Sequence, residues 1–238
     1  MGKVRILNEL LDNLTKEEIL AQYRSGLYIN PNVDGIVKNH YNKEFYEAVK
    51  KASFVVCDSK ILSLCSRLLP ERIKEAVPGS SFFSDFYFYH KDDPDCRIFL
   101  LGAMEGVAVK AMGRINEKMG RDIVVGAYSP SYGFEKKDEE CRQIYEMINA
   151  SGANVVLVGV GCPKQEKWID KHKAMMPGVD IWMALGATID FEAGNVKRAP
   201  KLWQTLYLEW FYRRTSYRSL GGCTSAISWM TLYSSGIS

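Results

Sequence analysis

The sequence predicts an α/β fold built on a parallel sheet. Short β-branched runs alternate with longer amphipathic stretches along the chain. The intervals between runs are long enough for crossover helices, which take about a dozen residues each. The composition, 47% hydrophobic and 25% charged over 238 residues, is that of a soluble globular chain and excludes collagen-like, low-complexity and disordered classes.

Each element has a local reason. Thr15-Lys16-Glu17-Glu18 has capping-box spacing and opens a short helix before a strand-like segment at 27–30. Further strands are expected at 54–57, 98–101, 123–127, 155–160 and 181–184, where Val, Ile and Phe cluster. Helices are expected at 43–52, 59–69, 106–119, 135–151 and 163–175, giving right-handed βαβ units. Lys91-Asp92-Asp93-Pro94-Asp95 reads as a surface turn, and no internal repeat is visible.

The charge is uneven. Residues 197–218 hold Lys197, Arg198, Lys201, Arg213, Arg214 and Arg218 against Glu209 alone, a local +5 in a chain of net +3. Trp203, Leu206, Tyr207, Trp210, Phe211 and Arg214 recur there at helical spacing, so an aromatic, basic helix is expected as an appendage to a core of residues 1–196. Such a mixture suits an anionic interface. From Ser219 onward there is no charge but six serines and two threonines, which reads as a tail.

Several classes have little support. The apolar runs fall short of the roughly 20 residues of a membrane-spanning helix, and the acidic N-terminal stretch lacks a signal-peptide core, so a cytoplasmic protein is expected. The six cysteines form no CxxC pair and the three histidines are isolated, so free thiols and no zinc site are expected. A GxGxxG fingerprint, a P-loop and a GxSxG elbow are all missing.

Ligands of open α/β sheets sit beyond the carboxyl ends of the strands, which directs attention to the residues after each one. Gly102-Ala103-Met104-Glu105-Gly106 and Gly161-Cys162-Pro163-Lys164-Gln165 both read as strand, glycine, helix, an arrangement that suits phosphate; glycine and proline also punctuate ordinary loops. After 181–184, Gly186 precedes Asp190, a hydrogen-bond acceptor for a base or ribose, or a helix-capping aspartate. Asp58 ends another strand and reads as a general base or as the cap of the next helix. Asn30-Pro31-Asn32 offers amides at the same rim, or simply a turn. Asp92, Asp93 and Asp95 superficially resemble a metal-binding DxD, although a solvated loop fits their lysine and proline neighbours better.

Three long stretches carry a family resemblance. Residues 158–168 (VGVGCPKQEKW), 186–200 (GATIDFEAGNVKRAP) and 208–213 (LEWFYR) resemble the WecG/TagA/CpsF glycosyltransferase family, and the likeness runs from about Asn30 to Arg213. It implies a Rossmann-like α/β domain with a C-terminal membrane-proximal appendage. The implied reaction moves a sugar, with inversion and without a metal or other cofactor, from a UDP-sugar to a polyprenyl-diphosphate-linked saccharide. The implied donor sugar is N-acetylmannosamine, its uronic acid or glucose. By the same resemblance Asp58, with Asn32 and Asn30, belongs to the catalytic pocket. Gly102, Gly161, Pro163, Lys164, Gln165, Gly186 and Asp190 belong to the donor nucleotide site. Lys197, Arg198, Arg213, Arg214 and Arg218 would meet the diphosphate or an anionic membrane at its cytoplasmic face. No nucleic-acid partner is implied, and homo-oligomerisation is left open. The chain departs from the family pattern at Asn30, where many relatives have threonine, and at Cys57-Asp58-Ser59, where Pro-Asp-Gly is commoner; past Arg214 it turns serine-rich. A non-catalytic sugar-nucleotide-binding subunit is the alternative from another class.

Overall fold

The computed structural model describes residues 2–196. An N-terminal hairpin of β1 (Lys3–Ile6) and β2 (Glu9–Asp12) leads through α1 (Lys16–Gln22), β3 (Gly26–Ile29), α2 (Val33–Tyr41) and α3 (Lys43–Lys50) to β4 (Phe54–Val55). The chain continues with α4 (Lys60–Cys65), α5 (Gly79–Tyr89), β5 (Ile98–Gly102), α6 (Val107–Met119) and β6 (Val124–Tyr128). It then runs through α7 (Asp138–Ser151), β7 (Val155–Gly159), α8 (Lys164–His172), β8 (Ile181–Ala184) and α9 (Thr188–Glu192). Strands β3 to β8 form one six-stranded parallel sheet in the order β4-β3-β8-β7-β5-β6, the Rossmann-like α/β arrangement that the alternating pattern predicts.

The period of two along each strand divides the core between the sheet's faces. Ile98, Leu100, Val155, Leu157, Ile181 and Met183 pack on one side with α1, α5 and α6. Phe99, Leu101, Val156, Val158, Trp182 and Ala184 pack on the other with α3, α7 and α8. Because the central strands are covered on both faces, they read in sequence as continuous apolar runs. Fully burying a side chain of this size contributes about 1.5–3 kcal/mol, so the two layers fix strand order and helix placement together.

The topology also locates the rim where a ligand would sit. From β5 the chain crosses through α6 outward to β6, whereas from β7 it crosses through α8 in the opposite direction to β8. Right-handed crossovers running in opposite directions must lie on opposite faces, and α6 and α8 do. The ends of β5 and β7 are therefore a topological switch point, where the following loops diverge and leave a crevice.

The capping box at Thr15 forms as expected, with Thr15 Oγ1 accepting from the Glu18 N–H at 3.2 Å and Glu18 Oε2 from the Thr15 N–H at 2.8 Å. The helix expected at 59–69 is shorter: α4 stops at Cys65 and gives way to a 3-10 turn at Ser66–Leu68. There the Ser66 hydroxyl donates to the Ser63 carbonyl at 2.7 Å and accepts from the Ile73 N–H at 3.0 Å, while Pro70 follows directly. Four features lie beyond the sequence expectation: the β1–β2 hairpin, α2, α5 and α9. The expected appendage, with Lys197, Arg198, Arg213, Arg214 and Arg218, lies outside the described residues. No helix among the described residues is long and apolar enough to cross a membrane.

Candidate functional site

Strands β3 and β4 are parallel neighbours, with Ile29 opposite Val55, so the loops that follow them emerge side by side. Asp58, half-buried at the end of the β4 segment, accepts through Oδ1 from the Asn30 side-chain amide at 3.0 Å and from the Gly79 backbone N–H at 3.1 Å. Gly79 is the first residue of α5, and the preceding Pro78 supplies no side-chain cap. Asp58 therefore serves the N-terminus of α5, across the loop, and not that of the helix following it in sequence. Ser59 caps α4 instead, accepting from the Leu62 N–H at 3.4 Å. Of the two sequence readings of Asp58, the cap of the next helix is excluded. A carboxylate oxygen fixed by two donors at the mouth of an 11-residue helix is oriented by the fold, a prerequisite for a general base.

Gly79 has little room for another residue. A Cβ there would come within 2.6 Å of Asn30 Nδ2 and 2.8 Å of Leu185 Cδ2. This contact brings the segment after β8 up to the Asn30–Asp58 pair. Asn32 sits two residues beyond Asn30, and its Oδ1 caps α2 by accepting from the Gly35 N–H at 2.9 Å. Of Asn30-Pro31-Asn32, Asn30 thus meets Asp58 while Asn32 caps the helix that follows.

The loop after β7 approaches from the other side. Gly161 has φ +90° and its N–H donates to Gln165 Oε1 at 3.0 Å; the buried Gln165 in turn donates through Nε2 to Glu166 Oε1 at 2.9 Å. The Gly161 N–H is consequently engaged inside the protein, and the loop is shaped by a side chain from the first turn of α8. Pro163 precedes that helix as its N-cap residue and Lys164 is its first residue. Lys164 reaches across to Tyr132, its Nζ lying 5.5 Å from the ring centroid. Burial pushes the Glu166 carboxyl up to about 7, and its Oε2 has no partner among the described residues.

Close backbone approaches join these pieces. A Cβ on Gly186 would lie 3.8 Å from Gln165 Oε1 and 3.9 Å from Gly161 Cα, and one on Gly35 would lie 3.9 Å from Cys162 Sγ. The loops after β3, β4, β7 and β8 therefore meet at the carboxyl rim, with Leu185 and Gly186 linking the Asp58 cluster to the Gln165 cluster. Asp190 lies in the first turn of α9, whose N-cap position is Ala187, and burial holds its carboxyl above the ordinary range. At Gly102 the glycine serves packing: with φ +140°, an added Cβ would lie 2.5 Å from the Gly159 carbonyl oxygen.

The structure thus gathers Asn30, Asn32, Asp58, Gly161, Gln165 and Gly186 along one rim. Sequence reasoning missed Gly79, whose N–H holds Asp58; Pro78-Gly79 ahead of the aromatic run is the one local signal for a helix start there. Asp93 of the 91–95 turn is engaged by His90 Nδ1 at 3.1 Å and accepts from the Asp95 N–H at 3.0 Å. Among the described residues no group of three or more His, Cys, Asp or Glu could hold a metal ion. A comparison with protein families matches residues 4–218 to one described as glycosyl transferase WecG/TagA/CpsF family.

Proposed function

The chain belongs to the WecG/TagA/CpsF family of glycosyl transferases, and on that premise we propose that it is an inverting, metal-independent enzyme using a UDP-sugar donor. Its acceptor in this reading is a saccharide on a polyprenyl diphosphate, met at the cytoplasmic face of the membrane; the donor sugar is N-acetylmannosamine, its uronic acid or glucose. The observation that carries the reading is the Asp58 carboxylate, held through Oδ1 by Asn30 and Gly79 at the carboxyl rim. Asp58 takes the proton of the acceptor hydroxyl as that oxygen attacks the anomeric carbon. The carbon–oxygen bond to UDP breaks, and the electron pair departs on the β-phosphate. In-line attack from the face opposite UDP inverts the centre. The leaving charge is met by the N-terminal end of α8 and by Lys164. Lys197, Arg198 and Arg213, which lie outside the described residues, are assigned to the same charge by the family resemblance alone. Turnover of labelled UDP-sugars on polyprenyl-diphosphate-saccharide acceptors, with the linkage read by NMR, tests this reading. UDP binding without transfer from any donor would leave the non-catalytic binding subunit in its place.

Asp190 is assigned to the nucleotide, supported by its half-buried position in the first turn of α9. Asp190→Ala is expected to weaken UDP binding by about 1–3 kcal/mol, since a donor on the nucleotide loses its buried partner. Calorimetric titration with UDP measures this directly, and equal affinity in wild type and variant would remove Asp190 from the site.

Activity is expected to persist in excess EDTA, because helix dipole and cations take the role a divalent ion would have at the diphosphate. Loss of transfer that Mg²⁺ or Mn²⁺ restores would overturn this and turn attention to Asp92, Asp93 and Asp95.

A further inference from the structure

Immediately after Asp58 the chain carries an apolar surface that the other described residues leave uncovered. None of the residues of α4 is buried, and Leu64, Leu68 and Leu69 are 44%, 90% and 40% exposed. The segment is nonetheless firmly placed: Ser66, 1% exposed, bonds both Ser63 and Ile73, and the Val77 N–H donates to the Cys57 carbonyl at 2.7 Å. Around the leucines stand Lys60, Arg67 and Arg72 against Glu71, all four exposed and none with an ion-pair partner among the described residues. Clustered leucines among unpaired cations, presented on a short helix and turn, have the composition of an interfacial membrane element.

We propose that residues 60–72 form a contact with the surface of an anionic phospholipid bilayer, the leucines entering the headgroup boundary and the three cations meeting lipid phosphates. Net charge favours the bilayer over a second copy of the chain, since the segment carries three cations against Glu71 alone and two such faces repel each other. Placement gives the contact its consequence. Asp58 lies two residues before Lys60, so a bilayer seated on this segment presents lipid-anchored molecules beside the proposed base. This last step rests on the lipid-linked acceptor reading above; the contact itself does not.

The contact is separable from the electrostatic attraction proposed for residues 197–218, because insertion of leucines resists salt and attraction between exposed charges does not. The test is co-sedimentation of the full chain with phosphatidylglycerol–phosphatidylcholine vesicles from low salt to about 1 M, where the Debye length is about 3 Å. Wild type is expected to retain measurable binding at the upper end. Leu64→Glu/Leu68→Glu is expected to lower that salt-resistant partitioning by about tenfold or more while its melting temperature stays at the wild-type value. Val109→Glu, an equally exposed apolar position on α6, is expected to change nothing. Arg213, Arg214 and Arg218 neutralised together should lower binding at low salt and leave the salt-resistant part unchanged. Wild-type partitioning by the leucine variant at every salt concentration overturns the proposal, as does wild type that never binds vesicles. Self-association of wild type in sedimentation equilibrium that the leucine variant loses also overturns it, reassigning the face to copy–copy contact. Transfer assays keep this separate from the function above. The leucine variant should act normally on a water-soluble acceptor and poorly on a vesicle-borne one, whereas wild type inactive on both would sink the acceptor reading alone.

Discussion

Asp58→Asn is expected to lower turnover by about 10²- to 10⁴-fold, the usual contribution of a positioned general base, while leaving UDP affinity nearly unchanged. The structure makes this substitution cleaner than most. Asparagine has the shape of aspartate, and its amide oxygen can accept the same two hydrogen bonds, from Asn30 Nδ2 and from the Gly79 N–H. What disappears is the negative charge at the mouth of α5, a helix-dipole contribution of about 0.3–1 kcal/mol. The fold should therefore survive with only a small fall in melting temperature. A turnover loss of 10²-fold or more corresponds to at least about 2.7 kcal/mol of transition-state stabilisation, well beyond that structural cost. The two effects are read by different instruments, one by steady-state kinetics and the other by thermal unfolding. Turnover within a few-fold of wild type would reduce Asp58 to a tether that seats α5 on the sheet.

What the sequence disclosed about this site follows from how local each interaction is. The strands were legible because a strand covered on both faces leaves an apolar run that no neighbouring element has to explain. Asp58 was visible as a carboxylate just past such a run. The identity of its partner was not, since the Gly79 N–H is 21 residues downstream, at the start of a helix reading Gly-Ser-Ser-Phe-Phe-Ser-Asp-Phe-Tyr-Phe-Tyr. That helix buries Phe82, Phe83, Phe86 and Tyr87, with Phe82 stacked on Tyr28 at 4.2 Å, yet it also exposes Phe88 and Tyr89, so its polar and apolar residues show no clear helical period. The N-terminal hairpin was hidden for a related reason. Its acids Glu9 and Asp12, which in sequence only interrupt the apolar residues, are 5% and 7% exposed; Asp12 accepts from the Val55 N–H at 2.9 Å, and Glu9 is bonded by the Asn39 amide. These are tertiary roles that a carboxylate's own neighbours in sequence cannot announce.

The same limit applies to the two glycines that the sequence offered as equivalent phosphate cradles, and a pair of alanine substitutions is expected to tell them apart. At Gly102, φ is +140° and a methyl group would stand 2.5 Å from the Gly159 carbonyl oxygen and 2.6 Å from its carbon. Neither atom belongs to a flexible side chain; both are backbone of the adjacent strand β7, paired with β5 in register. Overpacking of this kind costs about 1–3 kcal/mol. A positive φ in a residue with a Cβ adds about 1–2 kcal/mol. Gly102→Ala is accordingly expected to lose about 2–5 kcal/mol. A domain of this size loses about 2–4 °C of melting temperature per kcal/mol, so the transition should fall by about 4–20 °C. At Gly161, φ is +90° but an added methyl group would meet nothing within 4 Å, so only the backbone cost applies. Gly161→Ala should therefore melt within a few degrees of wild type. Its methyl group projects into open space on the rim, however, where the proposed donor diphosphate would lie, so its larger effect is expected on UDP affinity. Differential scanning calorimetry and UDP titration on both variants decide the matter. Should Gly102→Ala melt with the wild type and lose UDP binding instead, the switch-point glycine of β5 would be a ligand-approach residue, and the close packing of β5 on β7 would not be what excludes a side chain there.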